Sequence, residues 1–137
     1  MNILAIDTSC DETAVAVTNG RRVLSNELFS QIAIHQQFGG VVPNLARRAH
    51  EERIDEVIAQ ALSKAKIDMK DIEAIAVTQG PGLAIALGVG ISKAKELATT
   101  YDIPLIGVNH MAGHIYSCFA QDSQGEPAIP LEFPYLV

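Results

Sequence analysis

Asn2-Ile-Leu-Ala-Ile-Asp-Thr-Ser-Cys-Asp-Glu-Thr-Ala-Val-Ala-Val-Thr-Asn-Gly20 is the stretch that decides the fold, because it contains two strands and the first hairpin turn of a sheet. Residues 2–8 are mostly apolar and predict a buried strand, whereas residues 13–18 alternate and predict a second one. Asn19-Gly20 supplies two residues that tolerate positive φ, so it predicts a tight turn that leads into a third strand over 22–30. The sequence therefore begins with an antiparallel meander.

Helical and strand patterns alternate along the rest of the chain. They predict, in order, a loop over 31–40, an amphipathic helix from Pro43 to about Lys66, a strand over 72–78, a helix over 83–100, a strand over 103–108 and a helix from its cap Asn109 to about Ala120. Three antiparallel strands followed by strand–helix–strand–helix is the order of an actin-like or ribonuclease-H-like (ASKHA) lobe. We therefore predict an α/β fold with a mixed five-stranded sheet and helices on its faces.

The end of the sequence predicts a change of domain. Residues 121–130 are polar and contain Gly and Pro, and the apolar, strand-like run Phe133-Pro-Tyr-Leu-Val137 follows them. A strand at this point would open a second lobe. We expect an amino-terminal lobe over 1–120 and, over 121–137, a linker and the first strand of a second lobe that this sequence does not complete.

Composition narrows the class of protein. The 137 residues, of which 48% are hydrophobic and 19% charged, suit one soluble globular domain. A net charge of −6 argues against a lobe that grips nucleic acid unaided, because neutralising phosphates needs clustered Lys and Arg. No apolar run reaches the roughly 18 residues of a membrane span, and the amino terminus has no signal-peptide pattern. The expected location is the cytoplasm, with no membrane partner.

The sharpest chemical signal is Gly107-Val-Asn-His-Met-Ala-Gly-His114. Two histidines four residues apart at the start of a helix project from one face, where their imidazoles can share one metal ion. The competing interpretation is that one histidine is structural and the other is solvated. For an isolated pair, this interpretation deserves roughly half the weight. The setting favours the metal, because the pair follows the carboxyl end of a predicted parallel strand, where open α/β sheets bind ligands. Two imidazoles do not complete a zinc or iron site.

Four motifs, in this order, resemble the bacterial TsaD family, formerly labelled glycoprotease or O-sialoglycoprotein endopeptidase. They are Asp7-Thr-Ser-Cys-Asp-Glu-Thr13, Gly39-Gly-Val-Val-Pro-Asn-Leu-Ala-Arg-Arg-Ala-His50, Gly80-Pro-Gly82 and His110-Met-Ala-Gly-His114. The resemblance implies an enzyme with a two-lobed actin-like fold. Its reaction transfers the threonylcarbamoyl group from threonylcarbamoyl-AMP to the N6 amine of the adenosine that follows the anticodon, in tRNAs that read ANN codons.

The resemblance also assigns roles to particular residues. His110 and His114 match the two metal-binding histidines of the family, whose ion is iron or zinc and whose third protein ligand is an aspartate in the lobe that this sequence lacks. Asp11 is the candidate catalytic base, since a carboxylate can accept the proton that the attacking amine loses. Capping of backbone amides in its own turn is an equally good interpretation of Asp11.

Substrate binding is assigned less specifically, to Glu12, Gly80 and Gly82. Glycines at 80 and 82 would let the main chain approach an anion at a helix amino terminus. A tight strand-to-helix turn explains the same glycines at least as well, and a solvated or capping role explains Glu12.

Two alternatives and several partners follow from the same comparison. A zinc peptidase is disfavoured because Met111 follows His110 where the HExxH motif has its glutamate. A non-catalytic TsaB-like lobe is disfavoured because such partners lack the paired histidines. The implied partners are a TsaB-like paralogue, a TsaE-like ATPase and the tRNA substrate, with a homodimer through the two long helices as a further possibility. We expect the 137 residues to be inactive alone.

Overall fold

The computed structural model of the chain describes residues 1–127, so the strand expected over 133–137 lies outside the described residues. Five strands form one mixed sheet in the spatial order β3–β2–β1–β4–β5. Their bounds are β1 Asn2–Asp7, β2 Glu12–Asn19, β3 Arg22–Ser30, β4 Ala74–Gly80 and β5 Leu105–Asn109. The helices are α1 Ile32–His35, α2 Pro43–Ala65, α3 Ala84–Tyr101 and α4 His110–Ser117, with two 3₁₀ turns, Gln36–Phe38 and Met69–Asp71.

The register of the central strands sorts their side chains onto two unlike faces. β1 runs antiparallel to β2 and parallel to β4, and Leu4 lies beside both Val17 and Ile75. Because side chains alternate along a strand, the larger apolar residues of all three strands point to one side. We call this side the core face; it consists of Leu4, Ile6, Val15, Val17, Ile75 and Val77.

The two long helices cover the core face side by side. α2 packs on β2 and β3, α3 packs mainly on β4, and the two helices contact each other. α2 buries one stripe of residues that recur at helical spacing, Ala46, Ala49, His50, Ile54, Val57, Ile58 and Ala61. Its end is marked by Lys66, which adopts the left-handed conformation at the C-cap. The apolar face of α2 is therefore turned to the sheet rather than to solvent.

The opposite side of the sheet, which we call the alanine face, is lined by Ala5, Ala14, Ala16 and Ala76. These residues are only half-buried. α4 lies on this side, and after it Phe119 returns to the β2–β3 turn, where its carbonyl accepts from Arg21 Nε. None of the residues of α4 is buried.

Most element boundaries predicted from the sequence agree with the structure to within two residues, and the actin-like order of elements is confirmed. The prediction of a loop over 31–40 is wrong, because this segment contains α1 and a 3₁₀ turn. The Gln31 carbonyl accepts from the amides of Ile34 and His35, and the side chains of Gln31 and His35 are hydrogen-bonded, so local bonding winds this segment. α4 also ends at Ser117 instead of Ala120.

The first residue of the predicted linker is held against the sheet. Gln121 donates to the Arg21 carbonyl and accepts from the Val23 amide, which forms a bridge beside β3. Among residues 1–127, no helix is both long and apolar enough to cross a bilayer.

Candidate metal and acid–base site

The carboxyl ends of β1, β4 and β5 bring three polar side chains together on the alanine face. Ile6 lies beside Val77 on the core face, so the next residue of each strand, Asp7 and Thr78, points to the other side. β5 ends at Asn109, and His110 is the first residue of α4. The parallel pairing of β4 and β5 therefore delivers a histidine to the same edge as Asp7.

Asp7 is the hydrogen-bonding centre of this edge. Its Oδ1 accepts from the Ser9 amide at 2.7 Å, and its Oδ2 accepts from Thr78 Oγ1 at 2.7 Å and lies 3.0 Å from His110 Nδ1. Partial burial raises the pKa of the Asp7 carboxyl, but the hydrogen bonds from Ser9, Thr78 and His110 outweigh burial and hold that pKa below its usual value of 3.8. Asp7 is consequently a fixed carboxylate at neutral pH.

His110 and His114 turn their rings towards each other. Their Nε2 atoms lie 3.0 Å apart, and the ring centroids are separated by 4.5 Å with an angle of 80° between the ring planes. The Asn109 side chain caps α4 by accepting from the Ala112 amide at 3.1 Å, as the sequence predicts. His110 is half-buried, His114 is exposed, and both line the cavity beside them.

A cavity of about 360 Å³ joins the histidines to the turn that follows β1. The residues that line it are Asp7, Ser9, Cys10, Asp11, Glu12, Ala14, His110 and His114. Three carboxylates and two imidazoles therefore share one opening at the edge of the sheet. This combination can hold a cation and can also accept or deliver a proton.

The turn over residues 8–13 is supported from the core face. His50, which is completely buried on α2, bonds through Nδ1 to Thr13 Oγ1 at 2.7 Å and through Nε2 to the Cys10 carbonyl at 3.1 Å. Burial lowers the pKa of His50 below its usual value of 6.5, although the bond to Cys10 and the charges of Asp11 and Asp7 oppose the shift. His50 thus fixes the backbone of the turn that contains Asp11.

A second support reaches the same turn from the strand-to-helix connection. Leu83 donates its amide to the Ser9 carbonyl at 2.7 Å. Gly82 lies so close to Ser9 that an added Cβ would sit 2.6 Å from the Ser9 carbonyl oxygen. Ser9 therefore occupies the space beside Gly82.

The predicted site residues fall into two groups. Asp11, Glu12, His110 and His114 all line the cavity, whereas Gly80 and Gly82 are not among its lining residues. Gly80 pairs with Asn109 in the β4–β5 ladder. Within residues 1–127 the carboxylate that caps an amide of the turn is that of Asp7, through Ser9, while Asp11 contributes its carbonyl to the Gln31 amide.

Asp7 and Thr78 are the residues of this edge that the sequence analysis did not assign to the site. Their signal was present in the alternation of the strands, because a carboxylate that ends a buried strand on the side opposite its large apolar residues points away from the core. What the sequence did not contain was the register between β1 and β4, which sets Thr78 beside Asp7.

The two imidazoles fit as part of a metal site. Two ligand atoms of a tetrahedral zinc ion lie roughly 3.3 Å apart, so the observed Nε2 pair needs only a small opening to share one ion. Among residues 1–127 no group of three His, Cys, Asp or Glu side chains is placed to hold a metal. His110 and His114 are therefore a pair of candidate ligands and not a complete set.

The fold and this edge define a class: an actin-like α/β lobe with a histidine pair at the carboxyl ends of its parallel strands. YeaZ from Pseudomonas aeruginosa has the same fold, with a TM-score of 0.64 at 22% identity over 84% of this chain and 47% of YeaZ. A ROK hexokinase from Thermus thermophilus superposes with a TM-score of 0.53 at 18% identity, over 91% of this chain and 41% of the hexokinase.

The sequence model of TsaD, tRNA N6-adenosine threonylcarbamoyltransferase, matches residues 22–136, and the chain belongs to this family. A tRNA N6-adenosine threonylcarbamoyltransferase of Onion yellows phytoplasma is 54% identical over 96% of this chain and 57% of its own length. One from Staphylococcus haemolyticus is 55% identical over 98% of this chain and 37% of its own length. The chain thus spans between about a third and somewhat over half of the curated relatives that it matches.

Proposed function

We propose that this chain supplies the metal-binding histidines and the candidate base for transfer of a threonylcarbamoyl group from threonylcarbamoyl-AMP to the N6 amine of the adenosine after the anticodon. The related transferases extend well beyond the matched part, so we propose the whole activity only for these residues together with the further residues that the relatives contain. The observation that carries it is the convergence of the two Nε2 atoms at 3.0 Å in a cavity that also contains Asp11.

The described residues suit the chemistry of this transfer. His110 and His114 would hold an iron or zinc ion, which when bound supplies a Lewis acid for the reacting carbonyl oxygen. Asp11 lines the same cavity and can accept the proton that the attacking amine must lose. Glu12 adds a further carboxylate at the opening, where it can bind a polar part of the substrate.

Metal binding is the first test, and it needs no substrate. Cobalt(II) or zinc(II) titrated into the chain should bind weakly, and His110→Ala and His114→Ala should each lower the affinity at least tenfold. Met111→Ala is the matched control, because Met111 lies between the histidines on the same helix and is 54% exposed. Unchanged affinity in both histidine variants would contradict the metal proposal.

Activity is the second test. The 137 residues alone should not transfer threonylcarbamoyl to tRNA, whereas a full-length relative such as the Staphylococcus haemolyticus protein, assayed with its own partner proteins, should do so. In that relative, replacing the residue that aligns with Asp11 by asparagine should reduce kcat more than KM. Turnover by the isolated chain would show that the essential groups are elsewhere than proposed.

A TsaB-like paralogue is the partner that we propose; YeaZ, which is a protein of the TsaB type, has the same fold as this lobe. The groove between the outer sides of α2 and α3 is the surface available for it, and it combines apolar Ile85 and Val89 with charged Arg47, Glu51 and Lys93. A homodimer through these helices has less support than the sequence suggested, because α2 turns its apolar stripe to the sheet.

Light scattering of the chain with and without such a paralogue separates these possibilities. A stable complex of the chain with the paralogue that Val89→Arg abolishes would support the groove as the docking surface. If the chain without the paralogue shows twice the mass of one copy, the homodimer is favoured. A TsaE-like ATPase and the tRNA itself belong to the same proposed assembly. A tRNA substrate also implies that the reaction takes place in the cytoplasm.

A further inference from the structure

We propose that Asp7 is a positioning residue that holds His110 in the tautomer with its proton on Nδ1, and so keeps the Nε2 lone pair directed at the metal position. The part of this proposal that concerns metal binding rests on the function proposed above. The tautomer itself does not, because it follows from hydrogen bonds within the chain.

The direction of the hydrogen bond is set by the other donors to Asp7. The Ser9 amide can only donate, and it uses Oδ1. The Thr78 hydroxyl donates to Oδ2, where His110 Nδ1 also lies at 3.0 Å. A carboxylate that accepts these bonds has no proton to give, so the hydrogen between Oδ2 and Nδ1 belongs to the imidazole.

A neutral imidazole carries one N–H, so a proton on Nδ1 leaves Nε2 with its lone pair. That lone pair points to His114 Nε2 at 3.0 Å, which must then be the donor of this contact. A metal ion that enters between the rings would replace the proton of His114 only. His110 is therefore prepared for the metal in advance, whereas His114 changes tautomer on binding.

The rigidity of Asp7 makes this preparation effective. Asp7 ends β1 and pairs with Ala14 of β2, and Thr78 on β4 bonds to it from the other side. His110, by contrast, begins a helix with no buried residue. The bond between them ties the imidazole of His110 to the central strand of the sheet.

Proton–nitrogen NMR correlations in the metal-free chain, with isotope-labelled histidine, test the proposal at about pH 8, where imidazoles are neutral. His110 should show the Nδ1–H pattern. His50 gives an internal reference of the opposite kind, because its Nε2 bonds to a carbonyl that can only accept. A His110 signal of the Nε2–H type in the unmodified chain would overturn the proposal.

Asp7→Asn forces a conflict, since an amide has one acceptor where the carboxylate has two. If its NH₂ faces His110, the imidazole proton moves to Nε2; if it faces Ser9, it opposes the amide N–H there. We expect a rise in the Nε2–H form of His110 and a fall in cobalt(II) or zinc(II) affinity of roughly 10–100-fold. Asp11→Asn is the matched control, with the same loss of charge in the same cavity.

The control should leave the tautomer unchanged and shift metal affinity by less than about threefold. An equal loss of metal affinity in both variants would show that Asp7 acts only through its charge, and it would overturn the positioning role. Asp7→Glu should restore the Nδ1–H form, and the spectrum of the unmodified chain decides the question if Asp7→Asn fails to fold. Tautomers as proposed together with no metal binding would leave the role of Asp7 intact and refute the metal instead.

Discussion

The core face and the alanine face of one sheet differ in how they are covered. On the core face, two long helices seal large apolar residues, of which Leu4, Val17 and Ile75 are completely buried. On the alanine face, small residues stay half-buried, and α4 on the same side exposes Met111, Ile115 and Tyr116. One face supplies the stability of the lobe, whereas the other presents its candidate chemistry on a helix that adds little to stability.

The largest effect should come from truncating a side chain of the core face. Ile75→Ala should lower the free energy of unfolding by about 2–5 kcal/mol, because it removes completely buried methyl groups and leaves a cavity. Val108→Ala on the alanine face, where the side chain is half-buried, should cost about 1 kcal/mol. Urea unfolding of both variants measures the difference, and equal losses would show that the two faces contribute alike.

His50 tests how far the core face also holds the site. His50→Leu should cost about 2–4 kcal/mol at neutral pH, because Thr13 Oγ1 loses its partner in a buried position and the Cys10 carbonyl loses its partner in a partly buried one. Arg48→Leu on the exposed side of the same helix should change stability by less than about 0.5 kcal/mol. A small loss of stability in His50→Leu would mean that the turn over 8–13 keeps its conformation without His50.

The same residue predicts a pH dependence. Since the folded state lowers the pKa of His50 below 6.5, the unfolded chain binds this proton more readily than the folded one. The free energy of unfolding should therefore fall as pH decreases from 6.5 towards the folded pKa. His50→Leu should remove this part of the acid loss. The folded state lowers the pKa of Asp7 below 3.8, so Asp7 adds a further loss as pH falls through that region, which His50→Leu should leave in place.

Two glycines of α3 give a matched pair with effects of opposite sign. An added Cβ at Gly90 would sit 2.5 Å from Thr8 Oγ1, whereas at Gly88 it would have no neighbour within 4 Å. Gly90→Ala should cost about 1–3 kcal/mol through overpacking. Gly88→Ala should stabilise by about 0.5–1 kcal/mol, since alanine favours the helix. Thermal unfolding of the pair decides whether α3 is closely packed only on the side that faces the sheet.

The smallest effect on global stability should come from the alanine face itself. Asn109→Ala removes the cap of α4 and should cost that helix about 1 kcal/mol. Hydrogen exchange should speed up in α4 with little change in the strands, because no residue of α4 is buried. Asn109→Asp keeps an acceptor for the Ala112 amide and should preserve the protection. A drop in global stability equal to that of Ile75→Ala would contradict the division between the faces.

Local signals made much of this architecture predictable. Asn19-Gly20 predicted the hairpin, the apolar spacing predicted α2, and Asn109 was identified as a cap before its contact was known. α1 was missed because its first turn depends on the bonding of Gln31, whose own side chain is buried against α2. The pairing of His110 with His114 could be expected from helical spacing, since both residues belong to one element.

By itself the sequence determined the order of elements, the family and the histidine pair, because each depends on spacing along the chain. Only the tertiary structure decided that Asp7 meets both Thr78 and His110, that His50 holds the Cys10 turn, and that Gly82 packs against Ser9. These contacts join residues far apart in sequence, and they are set by strand register and by the alternation of side chains across a sheet. Periodicity specifies which side of a strand a residue occupies, but not which residue of another strand lies beside it.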